Sequence, residues 1–287
     1  MQMDWVVLIK QALNGFSVVL FLILVALGLT VIFGVMKVVN MAHGELMMIG
    51  AYTAYGVTVA GYNFWLGLTL APIVTAIIGI LMERSVIRFL YTRGDLSTLL
   101  ATWGFSIIFQ QIIKLIFSSQ PQAVPSPFPG SLEFMGVTYP AYRLFAMVMC
   151  LCIIGVVLFL FFRTHFGVTT RATIQNTETA NFMGINTHVM FLFAFAFGSA
   201  LAGLSGALIA PLIGVTPTMG LDYVAKAFFI VIVGGMGSIF GALGGGFVLG
   251  EIESVFTVIL NGTAAQIIVF LTVIILMLVR PKGLFSK

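Results

Sequence analysis

The chain is 287 residues long, 60% hydrophobic and only 8% charged, a balance that excludes a soluble globular fold of this size. Its formal net charge of +4 comes from scattered lysines and arginines with no basic stripe, which excludes a nucleic-acid surface. The apolar stretches approach the roughly 20 residues of a membrane-crossing helix and lack the strict alternation of barrel strands, so the fold class is an all-α integral membrane protein, a polytopic helical bundle.

The first residues, MQMDWVVLIKQALNG, carry Asp4 and no small-residue cleavage site before the first long run, and read as a retained, amphipathic segment. Apolar runs follow near 15–36, 41–60, 64–88, 97–117, 142–162, 189–213, 222–236, 240–260 and 263–280. They predict nine spans in a single transmembrane domain, 1–287, or eight if 222–260 folds as a broken pair. Arg84, Arg88 and Arg93 follow the third run, Arg163 and Arg171 the fifth, and Arg280, Lys282 and Lys287 close the chain; the positive-inside bias makes these regions and the C-terminus cytoplasmic. Lys10, on the outward N-terminus, is an exception. The proline-rich stretch 118–142 has no basic residue and fits an outer loop. Cys150 and Cys152, two apart in one run, point to different helix faces and suit neither a disulfide nor a metal site.

Small residues crowd the second half, in FGSALAGLSGAL (197–208) and GGMGSIFGALGGG (234–246). They either let helices pack closely in lipid or surround a path between helices that slide. The second glycine run has no following Lys, so it is no phosphate loop and the chain binds no nucleotide itself.

Ionisable groups at bilayer depth are costly, by roughly 3 kcal/mol each, so Glu45, Lys114, Lys226, Glu251 and Glu253 need reasons. Asp222 and Lys226, four apart, can pair on one helix face, and at least one of Glu251 and Glu253 needs a partner on another helix or water. In NMAHGELMMIG (40–50), Asn40 stands where a helix N-cap belongs and Glu45 falls in the first turns, where the helix dipole favours an anion. This cluster with His43 either caps a helix start near the inner surface or serves a gate or substrate path. Catalysis fits less well, because no nucleophile, acid pair or metal cluster accompanies it. In the fourth run Thr102, Ser106 and Gln110, spaced by four and next to Trp103, form a neutral polar stripe that lines a path or knits helices together.

The longest polar break on the inner side, 163–188, is helix-compatible from Arg171 to Met183, and Gly184 can end that helix. Glu178-Thr179-Ala180 with Gly184 resembles the coupling loop of ATP-binding-cassette importer permeases, with Thr179 where that pattern has alanine and without the Ile-x-Leu-Pro that often follows. GLTVIFGVMKVVNMAHGELMMIGAY, RATIQNTETANFMGINT, GGMGSIFGALGGGFVLG and the terminal VRPKGLF are similar to the LivH type of branched-chain amino-acid permease, nearly over the whole chain. Within that family LLATWGFSIIFQQ and Gln175-Asn176 look like the UrtB-type urea, or short-amide, branch.

The resemblance implies a transport subunit, not an enzyme, of about eight or nine transmembrane helices with a cytoplasmic coupling helix, in a bacterial plasma (inner) membrane. It implies a second related permease subunit, two cytoplasmic ATPase subunits that bind ATP and Mg in place of any cofactor in this chain, and an extracytoplasmic substrate-binding protein. Arg171, Glu178, Ala180 and Gly184 are then the ATPase-coupling residues, and Asn40, His43, Glu45, Thr102, Trp103, Ser106 and Gln110 the candidates for path or gate. The expected substrate is urea or a short amide, with branched-chain or other neutral amino acids as the alternative. A channel or secondary transporter working without ATP is the rival of another class; it would need a continuous chain of ionisable groups or a self-contained filter, and neither is visible in the sequence.

Overall fold

A computed structural model describes residues 5–91, 93–134, 137–281 and 283–285; Asp4, Lys282 and Lys287 lie outside them. The chain runs through α1 (Trp5–Met36), α2 (His43–Val59), α3 (Phe64–Ser85), a 3-10 turn at Ile87–Leu90 and α4 (Asp95–Phe117). A hairpin of β1 (Ser131–Phe134) and β2 (Val137–Pro140) leads to α5 (Ala141–Arg163), then α6 (His165–Gln175), α7 (Thr177–Phe182), α8 (Thr187–Ile213), α9 (Met219–Gly234), α10 (Ile239–Ile259) and α11 (Gly262–Val279). Every predicted apolar run is therefore a helix. Seven are long and apolar enough to cross a membrane: α1, α3, α4, α5, α8, α10 and α11. The other two, α2 and α9, have 17 and 16 residues, only about 25 Å each at 1.5 Å per residue. Among the described residues seven helices thus have the length and composition of a span, against the eight or nine expected, and α2 and α9 are the two shorter ones.

The centre is α1 and α8. α8 packs on α1, α2 and α3, while α1 also meets α9 and α10. Apolar side chains gain little by leaving lipid for protein, so the packing rests on close approach. Small residues supply it: Gly50 lies against Gly203, Gly206 against Met47, and Gly28 against Gly198. Helical threonines hide their polarity locally, with Thr30, Thr53, Thr58 and Thr75 each donating to the carbonyl four residues back.

Lys226 does not pair with Asp222 as its spacing allows; it reaches across from α9 to Glu253 on α10. Both residues are half-buried there, and a partner on another helix gives Glu253 the compensation its depth demands. In the stretch read as an outer loop, Gln122 exchanges backbone hydrogen bonds with Val215 (2.9 and 2.8 Å), tying the loop to the segment between α8 and α9.

Candidate functional site

After α1 ends at Met36 the chain turns back into the bundle. Lys37 sits in the left-handed region (φ 54°) at the reversal, and Val38, Asn40 and Ala42 are buried. As a result α2 does not begin at the end of α1. His43, its first residue, lies beside Val25 and Gly28, eleven and eight residues before Met36. Asn40, His43 and Glu45 are fully buried there. The cap expected near the inner surface is instead a helix start inside the protein, because the six residues after Met36 fold inward along the helices they join.

Irregular backbone at membrane depth persists only where protein satisfies it. Here the Met41 N–H donates to Thr102 Oγ1 (3.1 Å) and the Ala42 N–H to Asn40 Oδ1 (3.1 Å). Asn40 therefore holds the turn before α2; the N-cap position falls to Ala42, whose side chain offers no acceptor. His43 Nε2 lies 3.0 Å from the Val25 carbonyl, which requires the N–H on that nitrogen. Glu45, in the first turn of α2, accepts from Ser106 Oγ (3.0 Å) and Gln110 Nε2 (2.8 Å) through one carboxyl oxygen. Its other oxygen rests against Gly220 at the start of α9, where a Cβ would lie 2.6 Å away. Asn40 Nδ2, His43 Nδ1 and Glu45 Oε2 have no hydrogen-bond partner among the described residues.

The structure thus places six of the seven residues expected at a path or gate around the start of α2: Glu45, Ser106 and Gln110 share hydrogen bonds between α2 and α4, Thr102 and Asn40 hold the backbone just before α2, and His43 bonds to α1. Trp103 is apart from these: at 44% exposure it faces outward from α4, because the next residue after Thr102 turns about 100° around the helix.

On the loop, one predicted helix is two. Asn176 takes extended backbone (φ −157°, ψ 105°), ends α6, and caps α7 by accepting from the Thr179 N–H at 2.9 Å. Gly184, at φ +86°, closes α7: the Ile185 N–H bonds back to the Ala180 carbonyl (3.1 Å), the pattern of a glycine-terminated helix. Ala180 is buried and Glu178 exposed, beside Phe182 and Met183 at 86% and 79% exposure. Arg171 is not at this tip; its guanidinium lies 5.3 Å from the Phe162 ring centre, near the end of α5.

Sequence reading missed three functional candidates: the fold-back at 37–42, the exposed Phe182-Met183 pair, and a cluster of Arg143 with Asn14 and Tyr139. Only the second had a signal, two large apolar residues ahead of Gly184 in a polar loop. Among the described residues no three His, Cys, Asp or Glu side chains gather as a metal site.

The comparisons agree with this architecture. A chain of Streptococcus pneumoniae PsaBC, solved in complex with Fab, has a TM-score of 0.55 over 94% of this chain and 91% of that one; at 12% identity the likeness concerns the fold alone. BraD of Pseudomonas aeruginosa, a high-affinity branched-chain amino acid transport system permease protein, is 30% identical over 97% of this chain and 96% of its own length. LivH of Escherichia coli, described in the same terms, is 29% identical with the same coverage. LivM of Salmonella typhimurium, a further permease of that kind, is 28% identical over 77% of this chain and 58% of LivM. These relatives are branched-chain amino acid permeases and do not support the urea branch. Residues 11–278 match the family described as branched-chain amino acid transport system / permease component, and this multi-pass membrane protein belongs to it.

Proposed function

We propose that the chain is one of two permease subunits in an ATP-driven importer of branched-chain amino acids, set in the inner membrane with its C-terminus and the α6–α7 loop cytoplasmic. The other subunit is a related permease. Two ATPases binding ATP and Mg dock on the loop, and an extracytoplasmic binding protein delivers substrate. The observation that carries this reading is the likeness to BraD over essentially both full lengths. Urea is not retained as the substrate: Ser106 and Gln110, two of the three neutral groups on the stripe, already donate to Glu45.

In this reading the α6–α7 loop is the handle and the buried start of α2 the gate. Glu178 and the exposed Phe182 and Met183 present a charged and apolar tip to the ATPase, and Gly184 fixes the angle at which the tip meets α8. Movement of the loop shifts α8 against α2, and the Glu45 network is exchanged between two arrangements.

The test is uptake of radiolabelled leucine and urea by cells producing the whole system, with and without the ATPases. Leucine uptake that requires the ATPases is expected. Uptake of urea in its place would restore the short-amide reading, and uptake without ATPases would overturn the importer. Gly184→Pro and Glu178→Arg should each reduce leucine uptake at least about tenfold with the protein still in the membrane, as fits the loss of a positive-φ residue or a docking charge.

A further inference from the structure

α3 and α8 pack antiparallel, Thr75 against Gly203 and Gly79 against Ser199, and three clefts line up along their seam. On α8 His188, Leu192, Ala196, Ala200 and Leu204, spaced by four, share one face of the helix and line the clefts in turn; on α3 Arg84, Ala76 and Pro72 meet them in reverse order. Two of the clefts, of about 400 and 360 Å³, share Phe197 and Ala200 and have no polar nitrogen or oxygen on their walls. Their far side is α5, with Ile153 in one and Leu160 in the other. The backbones of α3 and α5 do not come into contact. Only near the hairpin do rings bridge them, Trp65 on Phe145 (5.1 Å between centres) and Phe64 on Tyr142 (5.9 Å), and from Pro72 onward the gap is open. The third cleft, of about 270 Å³, ends the seam on the side of the α6–α7 loop, and there the lining is charged: Arg84, Arg88 and His188, with Asn186 and Glu83. Glu83 is buried and accepts from the Tyr91 hydroxyl (2.6 Å), whereas both arginines are exposed and neither is in an ion pair among the described residues.

From Pro72 to Arg84 the seam runs about 18 Å at 1.5 Å per residue, close to the roughly 15 Å of hydrocarbon in one leaflet. It is apolar along that depth and cationic at one end, which is the pattern of a phospholipid. Arginine takes a phosphate through paired N–H groups, and basic pockets between helices at the cytoplasmic face suit anionic headgroups. A free phosphate would use the charged end alone and leave both apolar clefts unfilled. We propose that the seam holds one anionic phospholipid, with an acyl chain between α3 and α5 against Ala76, Ala196 and Ala200 and the phosphate on Arg84 and Arg88. Asn186 is two residues beyond Gly184, so the headgroup sits where the loop joins α8. Its placement in the cytoplasmic leaflet rests on the orientation given under the proposed function.

The experiment is native mass spectrometry of the purified complex in mild detergent, titrated with phosphatidylglycerol, phosphatidylethanolamine and inorganic phosphate. Phosphatidylglycerol should bind more tightly than phosphatidylethanolamine, whose ammonium meets the same cations. Arg84→Gln combined with Arg88→Gln should weaken phosphatidylglycerol binding at least about tenfold, as fits the loss of charge-assisted bonds from two exposed side chains. Ala200→Phe puts a ring in the apolar clefts with both arginines intact, and should weaken both lipids. Equal binding of the two lipids, unchanged phosphatidylglycerol binding in either variant, or its displacement by inorganic phosphate would overturn the site. So would a cross-link from Ala200→Cys to the related permease, since protein would then cover the seam. Orientation is tested apart from the lipid: Arg84→Cys should react with a membrane-impermeant maleimide in inside-out vesicles and not in intact cells. Reaction in intact cells alone would remove the proposed orientation and the leaflet assignment, and arginine-dependent lipid binding would still support the site.

Discussion

α1 and α4 are both long, apolar and membrane-spanning, yet they are fastened in opposite ways. From Val19 to Val35, α1 is enclosed by α8, α9 and α10, and glycines bring backbones together, as Gly28 does with Gly198 and Gly246 with Ile23. Among the described elements α4 meets only α2 and the 3-10 turn at Ile87–Leu90. Its outward side carries Leu96, Leu100, Ile107 and Leu115 to the surface, and its inward side is Thr98, Thr102, Ser106 and Gln110. The difference follows from the solvent. In hydrocarbon an apolar side chain has little to gain by burial, so helices are fixed either by shape, at close approach, or by hydrogen bonds across a seam. Contacts by shape fail all at once, whereas a seam of bonds worth about 0.6 kcal/mol each can open and re-form. The gate proposed between α2 and α4 is on the exchangeable side of that division.

The division breaks first at the glycines. A side chain at Gly206 would overlap the Met47 carbonyl of α2, backbone that has nowhere to retreat. Gly206→Leu should cost at least about 3 kcal/mol, at the upper end of overpacking, and leave little monodisperse protein in detergent. Leu115→Ala, at an 85% exposed position on α4, should leave the unfolding midpoint unchanged. Similar midpoints for the two variants would show that close approach does not hold the centre.

Much of this was legible in the sequence. Each apolar run became a helix because hydrocarbon demands internal backbone bonding, and the Thr102, Ser106, Gln110 spacing put three polar groups on one face, of which Ser106 and Gln110 found Glu45 and Thr102 the Met41 N–H. Gly184 was recognisable as a helix end because no other residue takes its φ as readily. The depth of α2 was not legible: Lys37-Val38-Val39 has the composition of a membrane-edge turn, and the contacts that hold it inside, His43 on Gly28 and Val25 and the Met41 N–H on Thr102, are made with distant parts of the chain. The Lys226–Glu253 pair also escaped, since helical spacing describes neighbours on one helix and says nothing of the next. Trp103 was grouped with the path by adjacency to Thr102, which a helix separates by most of a right angle or more.

Within the seam, Glu45 accepts two bonds from α4. Glu45→Ala removes the carboxyl oxygen to which the Ser106 hydroxyl and the Gln110 amide donate across the seam and should lower stability by about 1–2 kcal/mol. Glu45→Gln keeps an acceptor oxygen and should recover most of that loss. A double-mutant cycle between Glu45→Ala and Gln110→Ala, read by thermal unfolding in detergent, separates the two: a coupling near zero would mean that α4 is held by something other than this seam.

The smallest effects decide which face of α4 does the holding. Thr102→Val preserves shape but removes the acceptor of the Met41 N–H, at a cost of about 1 kcal/mol. Trp103→Ala removes a far larger side chain, yet one that faces outward, and should change the isolated subunit by less than about 0.5 kcal/mol. If side-chain size determined the result, the order would be reversed, because burying a tryptophan outweighs a single hydrogen bond several times over. The predicted order, Thr102→Val lower in unfolding midpoint than Trp103→Ala, therefore follows only if α4 is attached through its polar side; the opposite order would assign the attachment to the apolar one.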